Sequence, residues 1–230
     1  MNIRTRLAGT TAIALACAAT AAFADDDSND SFRELSAQWW QWALSIPVPN
    51  NPLIDSTGAN CMVGQRGPVW FLAGSVLGVP VTRSCTIPEG VKLFFPVLNN
   101  AFFNSPGCEQ ENRNFSVAEG RALVAPAIAG ATGLSVKLDN RAVHSARRVR
   151  SEVFATVFPS NSIYASFGVT CIVPGYPYSP SVDDGYYVKL PALSVGQHHL
   201  KITGTVAGGG FSVDVDYLLN VVKVNLKDHE

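Results

Sequence analysis

The clearest pattern of hydrophobic and polar positions lies near the end of the chain. In residues 211–221 every odd position is apolar, whereas the even positions include Ser212, Asp214, Asp216 and Asn220. This period of two is typical of a strand with one buried face. Residues 197–206 have a similar pattern, and the glycines at 208–210 separate the two segments. We therefore predict an antiparallel hairpin.

Five further segments have the length and composition of strands, namely residues 68–73, 79–83, 91–98, 134–138 and 149–158. Residues 91–98 are apolar at odd and even positions alike, which predicts a central strand buried on both faces. The segments have short connections and do not alternate regularly with helices. We predict a mainly β fold, an antiparallel sandwich or jelly roll, with two short peripheral helices.

Two capping boxes predict the two helices. In the string SFRE at 31–34, the serine and glutamate side chains can each bond to the other residue's backbone N–H. The apolar residues of the first helix share one face, and they are Phe32, Leu35, Trp39, Trp42 and Ile46. We expect Pro47 and Pro49 to end this helix. The string SVAE at 116–119 opens the second helix, which Pro126 is expected to kink or end.

The first 24 residues have the three parts of a bacterial secretory signal peptide. Arg4 and Arg6 supply positive charge, residues 7–19 are apolar, and the string AFA at 22–24 is a cleavage site. The apolar stretch is shorter than the about 20 residues of a transmembrane helix. We predict cleavage near Ala24, a secreted or periplasmic protein without a transmembrane segment, and one domain over residues 25–230. A lipid anchor at Cys17 is the rival interpretation.

Composition and charge narrow the range of partners. Charged residues make up 15% of the chain, against about 25% in typical soluble proteins, which fits a tightly turned β protein. Without residues 1–24 the chain keeps 15 basic and 18 acidic residues, a formal net charge of −3. A negative chain without a long basic run gives no electrostatic reason to bind nucleic acid or an anionic membrane.

Four cysteines remain after signal cleavage, at positions 61, 85, 108 and 171. An even number in an exported protein predicts two disulfide bonds, for which three connectivities are open. We favour Cys61–Cys85 and Cys108–Cys171, because the first pair brackets a predicted hairpin. No C-x-x-C pair occurs, so the sequence does not predict a zinc site or another metal site.

Three strings carry a resemblance to known proteins: GPVWFLAG at 67–74, PEGVKLFFP at 88–96 and DGYY at 184–187. They resemble segments of secreted bacterial β-sandwich proteins of unassigned function. The resemblance implies export and a β fold. It implies no activity and no site residues.

The richest group of aromatic and acidic residues lies in segment 174–187, which we interpret as a stiff loop. Its candidate ligand-binding residues are Tyr176, Tyr178, Asp183, Asp184 and Tyr186, and we add Trp40 of the first helix as an exposed indole. Flat aromatic side chains stack on sugar rings and other ring compounds, and carboxylates accept bonds from hydroxyl groups or hold Ca²⁺. The alternative is that the tyrosines pack over an open edge of the sandwich.

These residues predict a binding protein for a small molecule or glycan, without a cofactor unless Ca²⁺ is used. A second hypothesis is a secreted polysaccharide hydrolase or lyase with paired carboxylates, for which Glu89, Asp183 and Asp184 are the candidates. A third is a structural protein of the cell envelope. No G-x-S-x-G or H-E-x-x-H string supports catalysis.

Two other groups of polar residues have mainly structural interpretations. Strand parity points His198 into the core and His199 towards water. Arginines at 141, 147, 148 and 150 form a local basic patch that could hold an anion. With Glu152 beside them, we interpret this patch as the solvated edge of a strand.

Overall fold

A computed structural model describes residues 28–223. The predicted signal peptide, its cleavage site and His229 lie outside this range. The described strands are, in chain order, β1 (Val69–Phe71), β2 (Val81–Pro88), β3 (Lys92–Phe103), β4 (Thr132–Leu138), β5 (Arg141–Ala142), β6 (Arg147–Arg150), β7 (Phe154–Val157), β8 (Pro177–Leu190), β9 (Gly196–Thr205) and β10 (Ser212–Val222). The helices are α1 (Asn29–Ser45), α2 (Val117–Ala129) and the single turn α3 (Ile163–Ser166).

The strands form two sheets of five, which confirms the mainly β prediction. The first sheet has the order β1-β3-β8-β6, with β7 also paired to β8, and the second has the order β2-β10-β9-β4-β5. Alternate residues of β3, β8, β9 and β10 interdigitate between the sheets and form the main core. The predicted hairpin is present as β9 and β10, and β3 is central and buried on both faces.

Two strand pairs depart from a purely antiparallel arrangement. β1 pairs with β3 in parallel, and β2 pairs with β10 in parallel. β1 and β2 follow each other in the chain but lie in different sheets. The chain therefore crosses between the sheets at this point, so neither strand reaches its partner through a hairpin.

The interpretation of residues 174–187 as a loop is wrong, because most of this segment lies in β8. This 14-residue strand pairs with β3 on one side and with β6 and β7 on the other. A Cβ at Gly185 would lie 2.6 Å from Asn99 Cβ and 2.8 Å from the Tyr187 ring. Gly185 thus permits close packing inside a strand. In the sequence alone, a glycine in this role cannot be told from a glycine in a turn.

The two longer helices match the prediction with changes at their ends. α1 begins near Asn29 because the Ser28 hydroxyl accepts the Ser31 N–H at 3.1 Å, so the predicted capping box at Ser31 does not form. α1 ends at Ser45 as expected. α2 has the predicted capping box of Ser116 and Glu119, but it continues through Pro126 to Ala129.

The apolar face of α1 packs on the outer face of the first sheet and forms a second core. Phe94 and Tyr187 stack there at 5.2 Å between ring centroids, beneath Phe32 and Trp39 of the helix. The Trp39 Nε1 donates to the Leu72 carbonyl at 2.9 Å. No helix within residues 28–223 is long and apolar enough to cross a membrane.

Two disulfides, Cys61–Cys85 and Cys108–Cys171, confirm the favoured pairing. The reason given for the first pair is wrong, because β1 and β2 between its cysteines do not form a hairpin. Cys85 lies in β2, so this disulfide ties the segment after α1 to the second sheet.

Candidate functional site

A cleft of about 520 Å³ lies where α1, α2 and the edge strand β6 come together. Four arginines line it, and they are Arg33 of α1, Arg121 of α2, and Arg148 and Arg150 of β6. Asn29 and Val149 complete the lining. Arginine carries a permanent positive charge and a fork of N–H donors, so the cleft is suited to a negatively charged group.

Strand alternation explains why β6 supplies two arginines to one surface. The Arg147 guanidinium lies 4.8 Å from the centre of the Phe32 ring, and Val149 is buried in the core beneath α1. Successive side chains of a strand point to opposite faces, so Arg148 and Arg150 share the face opposite to that of Arg147 and Val149.

A buried carboxylate holds one of these arginines in place. Asp184 is 1% exposed, and its two oxygens accept bonds of 2.9 Å from Nε and Nη2 of Arg148. Arg150 Nε lies farther away, at 3.6 Å, and the Arg150 side chain is 62% exposed. The two-point contact fixes Arg148, whereas Arg150 keeps most of its donors for another partner.

Arg121 sits in an environment that disfavours its positive charge. Burial is the main cause that lowers the pKa of Arg121, and the charges of Arg33 and Arg150 lower it further. Its Nη2 donates to the Ser151 carbonyl at 2.7 Å, but its Nη1 is buried without a hydrogen-bond partner. Unsatisfied buried groups are uncommon in native proteins, and this N–H remains available to a bound molecule or a water.

Positive charge exceeds negative charge around the cleft. Asp184 pairs with both Arg148 and Arg150, and Asp30, which is 91% exposed, lies 3.4 Å from Arg33. Burial raises the pKa of Asp183 well above its ordinary value, which favours its neutral form. Among the described side chains at the cleft, two positive charges therefore lack a compensating carboxylate.

Asp183 belongs to a buried network under α1. Its Oδ1 accepts the Trp40 Nε1–H at 2.8 Å and the Tyr187 hydroxyl at 2.9 Å, and Asn99 Nδ2 donates to that hydroxyl at 3.0 Å. The Oδ2 of Asp183 is buried without a partner. Trp40 is therefore half-buried and anchored to β8, and the prediction of an exposed indole is wrong.

The three candidate tyrosines of segment 174–187 lie apart from the Asp183 network. Tyr176 precedes β8 and is 55% exposed, with its ring edge-on to Tyr178 at 5.0 Å. Tyr178 is buried, and its hydroxyl accepts the Val173 N–H at 2.7 Å. Tyr186 is half-buried and packs against the core between the sheets. The predicted residues thus form no single aromatic platform.

The carboxylates proposed for hydrolysis do not face each other. Asp183 and Asp184 are neighbours in β8, so their side chains point to opposite faces of the sheet. Glu89 lies in the exposed turn after β2, and its N–H donates to the Val222 carbonyl. These three residues form neither the pair that flanks a glycosidic bond nor a shared Ca²⁺ site.

One set of catalytic residue types, a serine, a histidine and an aspartate, comes together without having been predicted from the sequence. His198 Nδ1 lies 2.8 Å from Asp139 Oδ2, and His198 Nε2 lies 3.3 Å from Ser194 Oγ, the order of a Ser-His-Asp triad. The same Nε2 lies closer, at 2.9 Å, to the Ser194 carbonyl oxygen. A carbonyl can only accept, so Nε2 donates its proton there and cannot act as the base for the hydroxyl. The set therefore supplies no activated nucleophile.

The same histidine predicts a pH-dependent contribution to stability. The Asp139 hydrogen bond is the largest cause that raises the pKa of His198 above its ordinary value of 6.5. The His199 N–H and then His198 lower the pKa of Asp139 below 3.8. The pair therefore stabilises the fold fully between pH 3.8 and 6.5 and loses its effect as pH rises through the raised pKa of His198. Because Asp139 is half exposed, the contribution is at most about 1 kcal/mol.

Urea unfolding of the wild type and of His198→Gln at about pH 5.5 and about pH 8.5 measures this effect. The difference between the two proteins is expected to be larger at the lower pH. Equal differences at both values would contradict the assignment of a charged His198.

Comparison of the chain with protein-family models, with curated proteins and with solved structures yields no significant match. The resemblance to secreted bacterial proteins therefore stays a prediction. Fold and site together define a disulfide-bonded, two-sheet β protein with an arginine-lined cleft at the edge of one sheet.

Proposed function

We propose that the protein is exported and binds a small anionic molecule, or an anionic sugar, in the arginine cleft. The observation that carries the proposal is the convergence of Arg33, Arg121, Arg148 and Arg150 on one cleft with too few carboxylates to neutralise them. Carboxylate, phosphate and sulfate groups all match the guanidinium fork. The two disulfides support export, because such bonds persist in oxidising compartments.

The size of the cleft supports a ligand larger than a single inorganic ion. Its volume of about 520 Å³ falls within the range of about 300–1,000 Å³ that is usual for small-molecule sites. Asn29 adds a side-chain amide, and Val149 adds a small apolar surface. A molecule with one or two anionic groups and a polar body is the ligand that these residues suit.

The arginine cluster of the sequence divides between two places in the fold. Arg141 lies in β5 of the second sheet, whereas Arg148 and Arg150 lie in β6 of the first. Arg33 and Arg121, which are distant in the chain, join the latter pair. The interpretation of β6 as a solvated edge is incomplete, because both long helices supply arginines to that edge.

The matched variants Arg150→Gln and Arg141→Gln test the proposal. Both replace an exposed strand arginine by glutamine, but only Arg150 lines the cleft. Isothermal titration at low ionic strength would use inorganic phosphate, citrate and glucuronate, with glucose as the uncharged probe. Loss of one charged hydrogen bond should weaken binding of the best anion by about tenfold in Arg150→Gln. Arg141→Gln should bind like the wild type.

Tighter binding of citrate would identify the ligand class as acyclic carboxylates. Tighter binding of glucuronate would identify it as sugar acids. Absence of binding by all three anions, or equal weakening by both variants, would overturn the proposal. Binding of glucose as strongly as glucuronate would instead favour a second candidate, an uncharged-glycan protein. The exposed Tyr176 ring, supported edge-on by Tyr178, favours that candidate.

A further inference from the structure

A second, smaller pocket shares no lining residue with the arginine cleft. It has a volume of about 160 Å³, and its walls are mainly apolar and aromatic. α1 contributes Trp40 and Leu44, α3 contributes Ile163 and Tyr164, and β10 contributes Val213. The pocket therefore forms where α1, α3 and the second sheet meet.

The volume of this pocket suits one small ring. Protein interiors are packed as densely as organic crystals, and few voids exceed the size of a water molecule. An engineered apolar cavity of about 150 Å³ in another protein stays dry and binds benzene. The pocket in this protein has a volume of about 160 Å³ and aromatic walls. It therefore has about as much space for a single aromatic ring as that cavity.

Two polar atoms at the wall have hydrogen-bonding capacity left over. Within residues 28–223 the Tyr164 hydroxyl has no hydrogen-bond partner, although its ring packs edge-on against Phe103 and Phe158. Burial raises the pKa of Tyr164 to about 12, so the hydroxyl keeps its proton and can donate. Asn99 also lines the pocket, and only its Nδ2 has a described partner. Few polar groups among apolar walls are typical of a small-molecule site.

We propose that this pocket binds a single-ring aromatic compound with one hydrogen-bonding substituent, the class to which phenol belongs. The ring would lie among Trp40, Leu44 and Val213, and its substituent would pair with the Tyr164 hydroxyl or the Asn99 carbonyl oxygen. Phe167 lines the pocket and is 59% exposed, so the ring would enter past this side chain. This site is separate from the arginine cleft and does not depend on the proposed function.

Titration of phenol, with tryptophan fluorescence as the readout, tests the proposal because Trp39 and Trp40 both line the pocket. The variant Val76→Phe places a ring at the half-buried rim, and Val79→Phe makes the same change at a residue that is 58% exposed and does not line the pocket. Phenol affinity is expected to fall by at least about tenfold in Val76→Phe and to be unchanged in Val79→Phe.

A smaller substitution at the pocket wall keeps the test usable if Val76→Phe does not fold. A Cβ at Gly74, which lines the pocket, would make only ordinary contacts, the nearest 3.8 Å from Val213 Cγ2. Gly74→Ala should therefore fold normally and bind phenol more weakly than the wild type. Benzene should bind more weakly than phenol, and Arg150→Gln should leave phenol binding unchanged. Lack of phenol binding by the wild type, or binding by Val76→Phe and Gly74→Ala that equals that of Val79→Phe, would overturn the proposal.

Discussion

Replacing Arg83 by leucine is expected to lower the free energy of unfolding by about 3–5 kcal/mol, because several buried polar groups would lose their partner together. Arg83 is 1% exposed. Its Nε donates to the Asp55 carbonyl at 2.7 Å, and its Nη1 lies 2.9 Å from the Ala73 carbonyl and 3.0 Å from that of Gly74. The Tyr217 hydroxyl accepts a further bond of 2.8 Å. Arg83 thereby ties two loop segments to the second sheet.

Chemical denaturation of Arg83→Leu and of Tyr217→Phe measures this contribution. Tyr217→Phe removes only the hydroxyl, whose bonds join Arg83 and Ala73. It should therefore cost about 1–2 kcal/mol, clearly less than Arg83→Leu. If Arg83→Leu lost no more stability than Tyr217→Phe, the carbonyl contacts of Arg83 would not contribute as described.

Replacing Asp184 by asparagine should have the second-largest effect, a loss of about 2–3 kcal/mol of stability. Asp184 is 1% exposed and binds Arg148 through both oxygens, and the Arg148 side chain is 32% exposed. Without the carboxylate, a largely covered guanidinium has no counter-charge. Partial exposure of Arg148 keeps the loss below that of a fully buried pair.

An added anion should partly restore the stability of Asp184→Asn, because its cleft has one more uncompensated positive charge. Thermal unfolding with and without citrate should show a larger rise in melting temperature for this variant than for the wild type. Asp30→Asn is the matched control for the loss of stability, since Asp30 is 91% exposed and, within residues 28–223, pairs only with Arg33. It should lose at most about 1 kcal/mol. A citrate response no larger in Asp184→Asn than in the wild type would contradict the charge balance described for the cleft.

Local patterns in the sequence were sufficient to predict those elements whose signal lies within a few consecutive residues. The alternation in residues 211–221 predicted β10, and the capping box at Ser116 predicted the start of α2. The strand β8 was missed, because Asp183, Asp184 and Gly185 resemble a turn when their neighbours in space are unknown. Asp184 is accommodated in the strand by Arg148, and Gly185 by the close approach of Asn99.

The arginine cleft could not be predicted, because its residues are far apart in the chain. Arg33, Arg121 and Arg150 meet only after α1 and α2 have packed on the first sheet. The sequence showed the arginines of β6, and their alternation with Val149 could have indicated that two of them share a face. Nothing in the chain could have shown that each long helix contributes one more.

The central claim, that the cleft binds an anion, is tested most directly by a crystal structure of residues 25–230 soaked in selenate. Selenate is a tetrahedral dianion of the same class as sulfate, and selenium is located by its anomalous scattering. We predict an anomalous peak in the cleft, with selenate oxygens at hydrogen-bonding distance, about 2.7–3.2 Å, from at least two of Arg33, Arg121 and Arg150. Peaks only at exposed arginines elsewhere, such as Arg66 and Arg141, with an empty cleft, would contradict it.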